Sequence, residues 1–110
     1  MDQFVIIVAG GKGLRMGSNI PKQFLLLSGK PVLMHTINNF SEWNPFAKII
    51  LVLPESEFIE WSNLRREYNF DIPHDIVKGG ETRFHSVKNG LQQISSEKGI
   101  VAVHVWAVFR

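Results

Sequence analysis

The sequence contains no cysteine, which excludes a disulfide framework and any metal site built on thiolates. It also lacks a long apolar run, since Phe4–Ala9 and Phe24–Leu27 are too short to cross a bilayer. Met1–Gln3 carries none of the basic residues of a secretory signal. Charge of one sign is not concentrated either: twelve basic and ten acidic residues give a net charge of +2. We therefore expect a cytoplasmic protein whose partners include neither nucleic acid nor a membrane.

Length and composition predict one globular domain over residues 1–110. Of the 110 residues, 45% are hydrophobic and 20% are charged, a balance typical of folded rather than disordered chains. A domain of this size buries roughly two thirds of the surface that its unfolded chain exposes, so a stable core without disulfide bonds is expected.

Continuous apolar segments alternate with helical patterns along the chain. The predicted buried strands are Phe4–Ala9, Lys48–Leu53, Asp75–Lys78 and Ile100–His104, and Phe24–Leu27 is a candidate for a small extra strand. This alternation predicts an α/β fold with a mostly parallel, Rossmann-like sheet covered by helices on both faces. Because such sheets bind ligands beyond the carboxyl ends of their strands, the segments after Ala9, Leu53, Lys78 and His104 are the candidate sites.

Three helices are predicted from residues at helical spacing. Their apolar faces are Leu33, Thr36, Ile37 and Phe40 in a helix that Pro31 starts, then Phe58, Trp61, Leu64 and Tyr68 from about Ser56, then Phe84, Val87, Leu91 and Ile94 around Gly90. The aromatic residues Trp43, Trp61 and Tyr68 are expected in helix–sheet packing. The four histidines do not pair at ligand spacing, so no metal role is expected for them.

A glycine-rich segment, Gly10–Gly17, follows the first predicted strand. Gly10, Gly11 and Gly13 let backbone N–H groups approach an anion, and the charges of Lys12, Arg15 and Lys22 favour a polyphosphate there. No register satisfies the Walker pattern, and the glycine spacing is one residue too long for a dinucleotide fingerprint. These departures disfavour a dinucleotide-dependent oxidoreductase.

Three segments together resemble a known family. Ala9–Gly17, Pro21–Phe24 and Gly79–Val87 are similar to the motifs of 2-C-methyl-D-erythritol 4-phosphate cytidylyltransferases, enzymes of the non-mevalonate route to isoprenoids. The resemblance implies a three-layer nucleotidyltransferase fold, a homodimer, and transfer of CMP from CTP to a sugar-alcohol phosphate with release of pyrophosphate. Ribitol-5-phosphate cytidylyltransferases share these motifs and remain the alternative.

The resemblance also implies roles for individual residues. Arg15 and Lys22 are the expected catalytic cations on the phosphates, with Lys12 as an auxiliary contact. The expected nucleotide-binding residues include Gly80, Glu81 and Ser86 around the cytosine ring, the backbone at Ala9 and Gly10, the loop glycines Gly11 and Gly13, and Arg83. A pairing of Arg83 with Glu81 is expected to brace this segment.

The sequence departs from the family pattern after the last predicted strand. Val105 stands where the family has an aspartate that helps to hold Mg²⁺, the expected cofactor, and valine cannot bind a hard cation. The apolar tail at 105–110 fits no family motif. We therefore expect a truncated domain with an incomplete sheet, at most weak CTP binding and no measurable transfer. A non-catalytic nucleotide-binding fragment is the alternative from another functional class.

Overall fold

A main sheet and three helices make up most of the computed structural model, which describes residues 3–9, 21–94 and 100–105, with the backbone alone for Lys22 and residues 100–105. In chain order the elements are β1 (Gln3–Val8), a 3₁₀ turn (Lys22–Phe24), β2 (Leu26–Leu27), β3 (Lys30–Pro31), α1 (Val32–Trp43), β4 (Lys48–Leu53), a second 3₁₀ turn (Glu55–Glu57), α2 (Phe58–Glu67), β5 (Asp75–Lys78), α3 (Arg83–Leu91) and β6 (Ile100–Val105). The predicted limits of β4 and β5 are confirmed.

The main sheet is parallel and has the spatial order β5–β4–β1–β6. Numbered along the chain, its strands therefore lie in the order 3-2-1-4 that begins the Rossmann arrangement. Val8, the last residue of β1, pairs with Val52 on one side and with Val105 on the other. The strand order reverses between β1 and β6, and ligands of open α/β sheets bind at this reversal.

Helices cover both faces of the sheet, which confirms the predicted three layers. One core cluster joins Val5, Ile7, Ile49, Leu51 and Leu53 of the strands to Leu33, Met34, Ile37 and Trp61 of α1 and α2. The other joins Phe4, Ile6, Val8, Ile50 and Val52 to Val87 of α3 and to Ile94 beyond it. Because both faces are buried, β1 and β4 are apolar at almost every position rather than at alternate ones. Within the described ranges, no helix has the length and hydropathy that crossing a membrane requires.

The segment before α1 differs from the prediction. Leu26–Leu27 pairs antiparallel with Lys30–Pro31 in a hairpin, and its turn residues Ser28 and Gly29 have φ of 53° and 82°. Positive φ at both central residues gives a two-residue turn whose twist matches that of the flanking strands. Pro31 therefore ends β3 and caps α1, which begins at Val32, and Phe24 belongs to the 3₁₀ turn rather than to a strand.

Helix α3 packs on the sheet through only part of the predicted face: Val87 and Ile94 contact the core, whereas Phe84 and Leu91 do not. Phe84 and Leu91 are 72% and 44% exposed, whereas Gly90 is buried. A Cβ on Gly90 would lie 2.9 Å from Cγ2 of Ile6 and 3.1 Å from Cγ2 of Val52. The helix approaches the sheet so closely there that only glycine fits, and Phe84 and Leu91 lie on the outward side of the helix. The prediction for Trp43 is also wrong, since this side chain is 65% exposed.

Candidate functional site

The carboxyl end of β4 holds two of the predicted segments side by side. The backbone N–H of Ala9, just after β1, donates to the carbonyl of Val52 at 2.9 Å. The N–H of Gly79, just after β5, donates to the carbonyl of Leu53 at 2.8 Å. Ala9 and Gly79 are therefore fixed on opposite sides of one strand end, as the sheet rule for ligand sites predicts.

Gly80 and Ser86 are two predicted site residues that the fold brings into direct contact. The N–H of Gly80 donates to Oγ of Ser86 at 3.0 Å, and Ser86 is only 8% exposed. A Cβ on Gly80 would collide with Cβ of His85, so glycine is required at this turn. The Ser86 hydroxyl accepts this bond and keeps its own hydrogen for a further acceptor.

Helix α3 begins directly beside this turn. The hydroxyl oxygen of Thr82 caps the helix by accepting from the N–H of His85 at 3.1 Å, and the same oxygen lies 2.8 Å from Nδ1 of the His85 ring. Glu81 and Arg83 lie exposed on either side of the cap, and the expected ion pair between them is not formed.

A different ion pair joins the ends of β4 and β5. Nζ of Lys78 lies 3.5 Å from a carboxylate oxygen of Glu55, with both side chains about two-thirds exposed. At this exposure such a pair contributes little to stability. Asn89 of α3 adds a second tie, because its side-chain amide donates to the carbonyl of Lys78 at 3.0 Å. The position of Gly79 and Gly80 is thus supported from the sheet and from α3.

The segment that carries Lys22 is anchored by the two residues after it. The N–H of Phe24 donates to the carbonyl of Pro21 at 2.9 Å and closes the 3₁₀ turn. Gln23 is 1% exposed and its side-chain amide donates to a carboxylate oxygen of Glu57. Phe24 stacks on Trp61, with ring centroids 5.9 Å apart and planes within 6°. The backbone of Lys22 therefore belongs to a turn that α2 and the turn before it hold in place.

Glu57 is a partly buried carboxylate with opposing influences on its protonation. Burial raises the pKa of Glu57, the hydrogen bond from Gln23 acts to lower it, and the negative charge of Glu60 raises it again. The hydrogen bond from the Gln23 amide is therefore the interaction that stabilises the charged form of Glu57, since burial removes part of its solvation by water.

The remaining predicted residues are only partly within the structure. Gly10, Gly11, Lys12, Gly13 and Arg15 lie outside the described residues, so their roles stay predictions. Val105 ends β6 at the sheet position paired with Val8, beside the reversal in strand order.

The sequence analysis does not predict the side-chain contacts that hold the candidate segments in place. Gln23 lies inside the Pro21–Phe24 motif, yet its partner Glu57 is 34 residues away, and no local pattern indicates such a contact. The expected packing of Trp61 on the sheet is confirmed, and helical spacing does not indicate its stack on Phe24. The cap at Thr82 has a signal that could have been used, because a threonine before a helix is a preferred first-turn cap.

A metal ion needs a set of several ligands when protein side chains alone hold it. No group of three histidine, aspartate or glutamate residues gathers at ligand spacing anywhere in 3–9, 21–94 or 100–105. The valine at position 105 has no oxygen donor in its side chain, and Mg²⁺ requires oxygen ligands.

Comparison with protein families gives a match over most of the chain. A family model described as 2-C-methyl-D-erythritol 4-phosphate cytidylyltransferase matches residues 3–108. A curated relative of that name from Phocaeicola vulgatus is 59% identical over 104 residues, which cover 94% of this chain and 47% of the relative. One from Bacteroides thetaiotaomicron is 56% identical with the same coverage. The chain thus spans about half the length of the curated relatives it matches.

Solved structures agree with this match. The chain is similar to 4-diphosphocytidyl-2C-methyl-D-erythritol synthase from Anaerococcus prevotii, with a TM-score of 0.69 and 27% identity over 94% of this chain and 43% of that one. It is also similar to HddC from Yersinia pseudotuberculosis, with a TM-score of 0.73 and 26% identity over 92% of this chain and 47% of that one. The nucleotidyltransferase-type α/β fold that the motifs predict is thereby confirmed.

Proposed function

The chain belongs to the 2-C-methyl-D-erythritol 4-phosphate cytidylyltransferase family, and from this membership we propose that it supplies the nucleotide-binding residues of a cytidylyltransferase that moves CMP from CTP to 2-C-methyl-D-erythritol 4-phosphate. The observation that carries the proposal is identity of 52–59% to relatives of that name over 93–94% of this chain. The aligned span includes the glycine-rich segment and the segment from Gly79 to Val87.

The proposed reaction does not need a strong general base. A phosphate oxygen of the acceptor attacks the α-phosphorus of CTP and forms a new P–O bond. The bond from that phosphorus to the bridging oxygen breaks, and its electron pair leaves with pyrophosphate. Because the attacking phosphate is already anionic, catalysis depends on alignment and on cations directed at the developing negative charge.

Arg15 and Lys22 are the cations that we propose for this task. A guanidinium can donate to two phosphate oxygens at once, whereas an ammonium acts as a compact point charge. The position of the turn around Lys22 supports its part of the proposal, because Gln23 and Phe24 are both buried. Lys12 is proposed as an additional phosphate contact.

For the base we propose the segment after β5. Gly80, Glu81 and Ser86 would surround the cytosine ring, with backbone groups of Ala9 and Gly10 on the other side. A carboxylate or a carbonyl oxygen suits cytosine because the base presents an exocyclic amine. The buried Ser86 hydroxyl, held by the N–H of Gly80, supports this placement. Arg83 would line the same segment.

Magnesium does not enter this mechanism through the described side chains. The family resemblance implies Mg²⁺ with the triphosphate, but the valine at position 105 does not fit a hard cation.

The acceptor, the assembly and the location are further parts of the proposal. Methylerythritol phosphate is preferred over ribitol 5-phosphate because the relatives at 52–59% identity all carry the methylerythritol name. Family resemblance favours a homodimer, and the lack of cysteine favours the cytoplasm.

Two measurements test the function. Titration calorimetry of the chain with CTP and with UTP should give tighter binding of CTP. A chimera that continues residues 1–104 with the remaining half of the Phocaeicola vulgatus relative should release pyrophosphate only when CTP and methylerythritol phosphate are both present. Preference for ribitol 5-phosphate would change the acceptor, and absence of both CTP binding and chimera turnover would overturn the proposal.

A further inference from the structure

We propose that Gln23 and Glu57 form a positioning pair that fixes the backbone of Lys22 for its contact with the nucleotide phosphates. The inference rests on the proposed function, since it concerns how a proposed phosphate-binding residue is held. Neither Gln23 nor Glu57 is assigned a contact with substrate. Both act through the residue that precedes Gln23.

Burial makes the Gln23 side chain an effective anchor. Gln23 is 1% exposed, and Ser86 is the only other buried polar side chain in the described ranges. A buried amide without a partner costs free energy, so its bond to Glu57 is the arrangement that the fold must keep. Moving the turn outward would break this bond.

The ring of Phe24 gives the turn a second anchor beside the bond from Gln23 to Glu57. Phe24 is 3% exposed and its ring stacks on Trp61, which is completely buried. Gln23 and Phe24 are consecutive in a 3₁₀ turn that the bond from Phe24 N–H to the Pro21 carbonyl closes. With the two following residues held and the turn closed, the backbone of Lys22 has little remaining freedom.

The location of Glu57 relates this turn to the rest of the site. Glu57 ends the 3₁₀ turn that follows β4 and precedes α2. The carbonyls of Val52 and Leu53, at the end of the same strand, hold Ala9 and Gly79. One strand end therefore sets the positions of the segments that follow β1 and β5 and, through Glu57, of the turn that carries Lys22.

This arrangement predicts an energetic coupling that a general packing role would not produce. Glu57→Leu removes the acceptor and should weaken CTP binding about tenfold, similar to Lys22→Ala. In the Lys22→Ala background, Glu57→Leu should change CTP binding less than about twofold, because the residue it positions is already absent. Glu57→Gln keeps an acceptor oxygen in nearly the same shape and should remain within about twofold of the unsubstituted chain.

The experiment is a double-mutant cycle on the 110-residue chain, with CTP affinity measured by titration calorimetry and folding followed by circular dichroism. Glu60→Leu is the matched control, since it removes an exposed carboxylate three residues along that does not bind Gln23, and it should leave CTP affinity unchanged. If Glu57→Leu fails to fold, the exchanged pair, in which Gln23→Glu is combined with Glu57→Gln, replaces it. Gln23→Glu alone opposes two carboxylates and should weaken CTP binding, and adding Glu57→Gln should restore it.

The outcomes separate the two levels of inference. Coupled losses for Glu57→Leu and Lys22→Ala, or restoration by the exchanged pair, support the positioning pair. Three results would overturn the positioning pair and leave the proposed function standing. Lys22→Ala could weaken CTP binding while Glu57→Leu leaves it unchanged, or the losses of the two variants could add in the double variant. The third is an exchanged pair that restores no CTP binding. Absence of CTP binding by the unsubstituted chain, together with an inactive chimera, overturns both.

Discussion

The indole N–H of Trp61 donates a hydrogen bond to Nε2 of His74 at 3.1 Å. That nitrogen must therefore be unprotonated, and the other ring nitrogen, Nδ1, donates to the carbonyl of Ile72 at 2.8 Å. The pair fixes His74 as one neutral tautomer beside the aromatic cluster of Trp61 and Phe70. Because Trp61 also stacks on Phe24, the protonation of His74 is linked to the packing that supports the Lys22 turn.

The first prediction concerns stability and pH. Burial lowers the pKa of His74, the charge of Arg65 lowers it further, and the Ile72 carbonyl and Asp75 partly oppose this. The unfolded chain then binds a proton more readily than the folded chain. The contribution of His74 to stability is therefore complete above about pH 6.5 and decreases as the pH falls toward the lowered folded-state pKa.

Urea unfolding at pH 7.5 and 5.5 measures this effect, with His74→Gln as the matched variant because glutamine retains an acceptor but does not titrate. The unsubstituted chain should lose more unfolding free energy between these pH values than His74→Gln does. Glu57 contributes with the opposite sign, since a raised carboxyl pKa favours the folded state at low pH, and its contribution cancels in the comparison. Identical pH dependence in both proteins would contradict the prediction.

The second prediction concerns the contact between α3 and the sheet. Gly90→Ala places a Cβ against the branched side chains of Ile6 and Val52, which cannot rotate away from it. Overpacking of this kind costs about 1–3 kcal/mol, and the better helix propensity of alanine returns at most about 1 kcal/mol. We expect a net loss of about 1–2 kcal/mol in unfolding free energy. Lys88→Ala, on the exposed side of α3, should stay within about 0.5 kcal/mol.

The third prediction concerns base selection by Ser86. Ser86→Ala removes the acceptor for the N–H of Gly80 and the hydroxyl hydrogen proposed to meet the base. A lost hydrogen bond of about 0.5–1.5 kcal/mol corresponds to about two- to tenfold weaker binding. Calorimetric titrations should show a larger loss for CTP than for UTP. Equal losses for both nucleotides would mean that Ser86 supports the Gly80 turn without contacting the base.

The fourth prediction concerns the proposed catalytic cations. In the chimera described above, Arg15→Ala and Lys22→Ala should each reduce turnover by about 10²–10³-fold, since each removes a donor to charge that develops in the transition state. Lys12→Ala should have a smaller effect. Circular dichroism should show folded protein in every case. Reductions below tenfold for both Arg15→Ala and Lys22→Ala would remove these residues from the catalytic role.

The sequence by itself determined the architecture and the position of the candidate segments. Strands that are apolar at nearly every position, separated by amphipathic helices, are stable only as a parallel sheet covered on both faces, and β4 and β5 follow the predicted limits. The motifs around Gly10, Pro21 and Gly79 identified the family because their residue types and spacing are local properties of the chain.

Only the tertiary structure decided which side chains hold these segments and which face of α3 is buried. Phe84 and Leu91 have the helical spacing of core residues, but they lie on the outward side of α3, and the close approach to the sheet is at Gly90. The bond from Gln23 to Glu57 and the stack of Phe24 on Trp61 join residues more than thirty positions apart. Helical and strand periodicity describe which side of an element is apolar. They contain no information about how far two elements approach or which distant partner satisfies a buried polar group, because both follow from packing of the whole chain.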